Sequence, residues 1–494
     1  MSTATIKILD EVHAKVENLD PVTNNKCMEA LKYMVPYRFH VTSFRLGRWD
    51  GSIRFFHKNG RTFINLLGEI LPIIAKAGYE FEIEDHREDS YAFDPIDNDF
   101  FANYVWPEGH FKEGEPITLR DDQTEAANIF LKNRYCVQAL ATGFGKTILT
   151  AAICKKVEYY GRTLTIVPSK SLVEQTYDDM KLVGMDVGRY YGDVKELGHM
   201  HTISTWQSLM EVVDAYDDNP HILDSMMDNL KQVLVDECHQ CKSKVLDSLM
   251  SKVFNHIPLR RGFTGTIPKE EFDAKTIISN LGEVQNVVTA RELQEKGILA
   301  RCHVLGVVTK TDKVFRSYDE ENNYLKKDTE RLDFLCDFTE KISKDGNTLI
   351  LVNSVDAGIY LNDKIPDSTF VYGKTKIKER KSAYADVQKS NHSVIIATYQ
   401  VAAVGINIPR IFNLVMVEAG KSFVRVIQTI GRGIRVAKDK DFVQIYDISS
   451  NSKYSKKHYK VRKDYYDEAE YPYDTIQGDY KKILTTIDKE QQDK

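Results

Sequence analysis

The chain has 494 residues, 42 % of them apolar and 28 % charged, with a net charge of −5. That length exceeds what one hydrophobic core can serve and implies roughly two to four domains of ordinary globular composition. No run approaches the ~18 apolar residues of a transmembrane helix, MSTATIKILDEVHAK lacks the apolar core of a signal peptide, and an acidic chain can hold nucleic acid only through local patches. The expectation is a cytoplasmic protein with no membrane partner. Its seven cysteines are scattered and odd in number, as reduced thiols are.

Residues 1–95 read as a small α+β domain. The segment 16–39 predicts a helix followed by a strand. SIRFFHKNGRTFINLL predicts a hairpin around Asn59-Gly60. LGEILPIIAKAGYEFEIE predicts a helix returning to a strand. An acidic, aromatic stretch without hydrophobic period follows, and residues 96–117 are taken as a linker.

From residue 118 short β-rich runs alternate with helical stretches: RYCVQAL, TLTIVPS, HTISTW, QVLVDE, RRGFTGT. The pattern restarts near residue 305 with HVLGVVT, TLILVNS, TFVYG, SVIIAT, NLVMVEA and FVQIYDI. Such alternation predicts α/β lobes built on parallel sheets, one over 118–304 and one over 305–451. Residues 452–494 form a charged, tyrosine-rich C-terminal extension opening with KYSKKHYKVRK, either a further basic track or a solvated helix face.

ATGFGKT joins the run RYCVQAL to the helical TILTAAICKKVEYY. A loop that wraps a triphosphate needs backbone N–H groups free to approach it, which Gly143 and Gly145 permit beside Thr142. Lys146 would reach the β- and γ-phosphates, Thr147 would place its hydroxyl on Mg²⁺, and the helix start adds a favourable dipole. The strict pattern wants a small residue where this chain has Leu140; strand-loop-helix context supports the assignment against a plain surface turn. In QVLVDECHQC, Asp236 and Glu237 end a strand. Asp236 suits Mg²⁺, Glu237 suits activation of the attacking water, and His239 suits sensing of the nucleotide state. Zinc on Cys238, His239 and Cys241 is the weaker reading, because a structural site needs a fourth ligand.

The order of these motifs resembles superfamily 2 helicases of the DExH type over residues 119–450, which implies two tandem RecA-like lobes with ATP and Mg²⁺ bound between them. The resemblance implies adenine contacts for Arg120 and Gln123 in LRDDQ. It implies strand-backbone contacts for Pro168 and Ser169 in IVPSKSLVEQ and for Thr205 and Gln207 in STWQSL. Thr264 and Thr266 in FTGT would couple hydrolysis to movement. In the second lobe it implies nucleic-acid contacts for Asn353, Ser354 and Thr398, nucleotide contacts for Gly405 and Asn407 in ATYQVAAVGINIP, and catalytic roles for Gln428, Arg432 and Arg435 in QTIGRGIR. An arginine suits a developing γ-phosphate charge because its planar fork is always ionised. Short hydroxyls and backbone turns suit phosphates better than base edges.

YRFHVTSFRLGRWDGSIRFF resembles the N-terminal domain of phage UvsW-type recombination helicases, which implies branched-DNA substrates such as forks and Holliday junctions, 3′-to-5′ movement, and a host-cytoplasmic location if phage-encoded. Residues 31–61 hold seven basic residues against the one acid Asp50, interleaved with aromatics. Arg45, Arg48, Trp49 and Arg54 are candidate contacts to single-stranded, duplex or branched DNA, because cations hold phosphates and rings stack on open bases. A monomer is expected. The alternatives are an RNA helicase, a restriction-type translocase subunit, and a binding module with a decayed motor. Lys146, Asp236, Glu237 and Arg435 argue against decay.

Overall fold

The computed structural model describes residues 2–87, 91–107, 112–241, 243–265, 267–268, 270–405, 408, 410–420 and 439–492. The chain divides into two compact units, one formed by 1–140 with 145–287, the other by 288–494 with 141–144.

The first unit opens with a four-stranded sheet in the order Arg61–Phe63, His13–Glu17, Ser2–Ile8, Tyr79–Glu84. Alternation in STATIKI turns Ala4 and Ile6 into the core. Helix Pro21–Ala30 starts where the Asp20 carboxylate accepts the N–H groups of Val22 and Thr23, with proline at the first turn. Helix Leu67–Lys76 then leads into Tyr79–Glu84, as its pattern predicts.

The predicted hairpin does not form. Asn59-Gly60 does turn the chain, with Gly60 at φ +79°, but its two arms join different sheets. Ser52–Arg54 pairs with Lys32–Met34, while Arg61–Phe63 pairs with His13–Glu17. The physical reason is Phe55-Phe56: both rings are buried. Adjacent residues on a strand face opposite sides, so two consecutive buried rings end a half-buried strand.

This N-terminal sheet shares its core with the following lobe. Phe272, on helix Glu271–Leu281, packs among Phe55, Phe56, Leu66 and Ile70. Around that contact, Glu11 N–H donates to the Asn255 carbonyl at 2.9 Å, Asn65 donates to the Ser279 carbonyl at 3.3 Å, and Lys275 pairs with Glu69 at 2.6 Å. Residues 91–107 lie along helix Asp121–Lys132. Asn128 exchanges two bonds with the Ile96 backbone, and Asn98 bonds Asp121 and Thr124.

The first α/β lobe is an eight-stranded sheet in the order Val194–Lys195, Val187–Tyr191, His201–Thr205, Arg162–Val167, Leu230–Val235, Leu259–Thr264, Tyr135–Leu140, Val284–Val288. The strands from Val187–Tyr191 to Tyr135–Leu140 run parallel. Strands covered on both faces read as unbroken apolar runs rather than alternating ones; all five residues of Thr163–Val167 are buried for this reason. Arg260 is fully buried within its strand. Its guanidinium donates to the carbonyls of Met250 (2.6 Å), Phe254 (2.5 Å) and Asn280 (2.9 Å), which occupies the donors an interior cation must satisfy.

The second unit carries a seven-stranded, all-parallel sheet in the order Ser368–Val371, Val394–Thr398, Thr348–Val352, Asn413–Val417, Phe442–Ser450, Arg301–Thr309, Tyr473–Gly478. The last of these belongs to the charged extension, which is therefore integral to the sheet. Its helix Tyr480–Gln492 sends Ile483 and Ile487, one turn apart, into the core. Helix Lys453–Glu468 is held by a buried ion pair between Arg462 and Asp447 at 2.8 Å. The basic run is thus a helix, but Arg462 faces inward.

Candidate functional site

In the first lobe the motif residues gather at the carboxyl edge of the sheet. Register pairs Thr205 with Val167, Val235 with Gly262, and Thr264 with Ala139, so every motif follows its strand at the same edge. Ligands of parallel α/β sheets bind beyond that edge.

Strand Tyr135–Leu140 passes through the glycine loop into helix Lys146–Val157. Gly143 and Gly145 both adopt φ +93°, a left-handed geometry that disfavours side chains. A Cβ at Gly145 would lie 2.4 Å from the Gln123 amide nitrogen, so the glutamine expected at the adenine abuts the phosphate loop. Gln123 is buried, and its side-chain oxygen accepts the Arg120 backbone N–H at 3.0 Å. The Arg120 guanidinium pairs with Asp122 at 3.0 Å.

Lys146 and Glu237 form an ion pair at 2.9 Å, each side chain about nine-tenths buried. The lysine also donates to the Leu140 carbonyl at 3.2 Å. The second Glu237 oxygen accepts the Gly265 N–H at 3.2 Å. Burial opposes ionisation of Glu237, yet the charges of Lys146 and His239 and the Lys146 and Gly265 bonds hold its carboxyl below the ordinary value. Asp236 moves the other way: burial, then the neighbouring Glu237 charge, pushes it up. Glu237 sits at φ +48°, a left-handed position that costs a non-glycine residue ~1–2 kcal/mol. Strain of that kind collects where side-chain placement matters to function.

His239 Nδ1 lies 2.7 Å from the Thr264 hydroxyl and 3.5 Å from Glu237, linking the acidic strand end to the next strand. Burial lowers the affinity of His239 for a proton. Cys238 and Cys241 are core residues whose thiols burial pushes up, to about 12 for Cys241. Among the described residues no group of three or more His, Cys, Asp or Glu side chains is arranged to hold a metal ion. The hard oxygens of Thr147 and Asp236 beside a helix start suit Mg²⁺ carried by a polyphosphate, because that ion keeps water and phosphate ligands and takes few from protein.

The expected nucleic-acid contacts separate into two kinds. Ser169, Thr205 and Ser354 each cap a helix, accepting the N–H groups of Leu172, Ser208 and Ala357. Gln207 donates to the Pro168 carbonyl at 3.5 Å, so these two motifs adjoin. In the second lobe Thr398 is paired in register with Val352, next to Asn353, whose amide donates to the Glu418 carbonyl at 2.5 Å. Near the N-terminus Arg54 lies beside Glu29 (3.3 Å) and Asp50 (3.5 Å), and the Trp49 indole donates to the Ser52 carbonyl at 2.7 Å. Arg45 ends the short helix Thr42–Arg45, and the Arg48 side chain is exposed. Gly405 ends helix Tyr399–Gly405. Thr266, Asn407, Gln428, Arg432 and Arg435 lie outside the described residues.

Sequence reading missed Gly265 as a donor to Glu237, although it stands inside FTGT. It also missed Arg331, whose guanidinium pairs with Glu418 at 2.9 Å behind Asn353. The signal for Glu418 was present in NLVMVEA, a strand ending on an acid as QVLVDE does.

Residues 116–269 match the family described as type III restriction enzyme, res subunit, and residues 330–437 match the helicase conserved C-terminal domain. The chain is 23 % identical over 456 residues to the ATP-dependent DNA helicase UvsW of Enterobacteria phage T4, covering 87 % of each. It is 23 % identical over 249 residues to putative helicase 22 of a Sulfolobus islandicus filamentous virus, covering 46 % of this chain and 44 % of that one. Among solved structures, Saccharomyces cerevisiae Dbp5 bound to RNA and ADP BeF3 shares the fold at 14 % identity and a TM-score of 0.53, over 76 % of this chain and 94 % of that one. The two matched families, the relative spanning nearly the whole chain and the Lys146–Glu237–Asp236 cluster converge: this chain is an ATP-dependent superfamily 2 helicase that resembles UvsW.

Proposed function

We propose that this helicase acts on DNA and remodels branched structures, forks and Holliday junctions, during replication, recombination or repair, as a monomer in the host cytoplasm. The observation that carries this reading is the extent of the likeness to the phage T4 DNA helicase: it covers 87 % of this chain, more than the two motor lobes alone account for. The motor part follows from the cluster around Lys146. Gly143, Gly145, Lys146, Thr147 and Asp236 would hold ATP with Mg²⁺, which supply the phosphoanhydride and screen its charge. Glu237, kept ionised by Lys146, His239 and Gly265, accepts the proton of the attacking water. His239 and Thr264 carry the state of that carboxylate to the adjoining strand. Arg432 and Arg435, by resemblance, oppose the charge that develops on the γ-phosphate.

The test is a strand-separation panel with ATP on forks, Holliday junctions, bubbles and RNA duplexes. Faster processing of forks and junctions than of bubbles is expected. Equal rates on all DNA forms refute the branched specificity, and preference for the RNA duplex refutes DNA as the substrate.

A further inference from the structure

The second lobe contains a cavity of about 350 Å³ beside Asn353 and Ser354. One wall is the start of helix Val355–Lys364, capped by Ser354, where unpaired backbone N–H groups favour an anion. Another wall comes from helix Tyr318–Lys327, which belongs to none of the motifs named above and contributes Asn322 and Lys326. Neither of those side chains is engaged by another group among the described residues. The remaining charges of the cavity, Arg331 and Glu418, neutralise each other at 2.9 Å, which leaves Lys326 as its net charge. Arg331 is 1 % exposed, lines the cavity, and keeps its Nε–H without a partner among the described residues. A buried donor of that kind is costly unless a ligand or water accepts from it.

The geometry points to a phosphodiester-binding site in this cavity, in which Lys326 and Asn322 hold one backbone phosphate of the nucleic-acid strand against the start of helix Val355–Lys364. It rests on the helicase reading and extends it, because helix Tyr318–Lys327 lies outside the motifs the resemblance covers. Lys326 supplies the charge, Asn322 a neutral donor, and the helix start fixed N–H groups. The contact is blind to sequence, as a translocating motor requires.

The test is fluorescence anisotropy with a labelled oligo(dT) strand on the full chain across a salt series. Losing one phosphate contact flattens the log–log salt slope by about 0.7 and weakens binding about fivefold near ~0.1 M salt. Lys326→Ala should show both changes, and Lys326→Arg should restore both. Lys327→Ala, at the exposed neighbour, should show neither; equal effects at 326 and 327 mean diffuse surface charge and overturn the site. Inorganic phosphate is the second probe. At matched ionic strength it should not displace the strand from the wild type; displacement that Lys326→Ala abolishes marks a free-phosphate site and overturns the strand contact. A wild type that fails to bind the strand refutes the helicase reading itself. A wild type that binds, with Lys326→Ala unchanged, refutes only the site proposed here.

Discussion

Arg462→Met should unfold the second unit selectively. The Arg462 and Asp447 side chains are both 0 % exposed and meet through two parallel bonds, Nε to Oδ2 and Nη2 to Oδ1, each at 2.8 Å. Arg462 also donates to the Gly420 carbonyl at 2.6 Å, and the Tyr466 hydroxyl donates to Asp447 at 2.7 Å. Removing one partner leaves a buried carboxylate uncompensated, which costs about 3–5 kcal/mol. For a unit of this size each kcal/mol moves Tm by about 2–4 °C, so a fall of roughly 6–20 °C is expected. The three tryptophans, Trp49, Trp106 and Trp206, all lie in the first unit. The loss should therefore appear in far-UV circular dichroism as a new low-temperature transition and leave tryptophan fluorescence unmoved. Arg462→Met combined with Asp447→Leu removes both charges and should recover most of the loss, since a buried pair replaced by apolar groups is near neutral. A shift in the single variant worth less than ~1 kcal/mol, or a double variant no better than the single, would refute the account of the extension as a brace.

Lys146→Ala should abolish ATP turnover and weaken nucleotide binding, whereas Glu237→Gln should abolish turnover and retain ATP; filter binding with single-turnover hydrolysis separates them, and wild-type hydrolysis by Glu237→Gln removes Glu237 as the base. Phe272→Ala should destabilise the first unit by about 3–5 kcal/mol, read by tryptophan fluorescence in urea, because the ring fills the core shared with the N-terminal sheet. An unshifted midpoint would mean the N-terminal sheet and the lobe hold independently, and that residues 96–494 fold alone.

The tandem α/β lobes were legible because their strands are covered on both faces. Runs such as TLTIV and TLILV then carry no alternation and can only be interior strands. The nucleotide site was legible for a different reason. Its chemistry needs glycines, a lysine and two acids at strand ends, and those types stand at the required spacing in ATGFGKT and QVLVDE. Strand partners were not legible: SIRFF and RTF flank a true turn, yet the burial of both Phe55 and Phe56 sends them to separate sheets.

Composition and spacing alone determined that this protein has two parallel-sheet lobes, and which side chains face the nucleotide, because interior strands and phosphate loops admit few residue types. Tertiary structure alone decided what the charged segments do. In KYSKKHYKVRK nothing local separates Arg462 from its neighbours; only Asp447, brought beside it by the parallel sheet, makes it an interior residue. Likewise YDTIQG lacks an apolar run because it is the sheet's half-exposed edge, and an edge strand is specified by the partner it pairs with rather than by its own side chains.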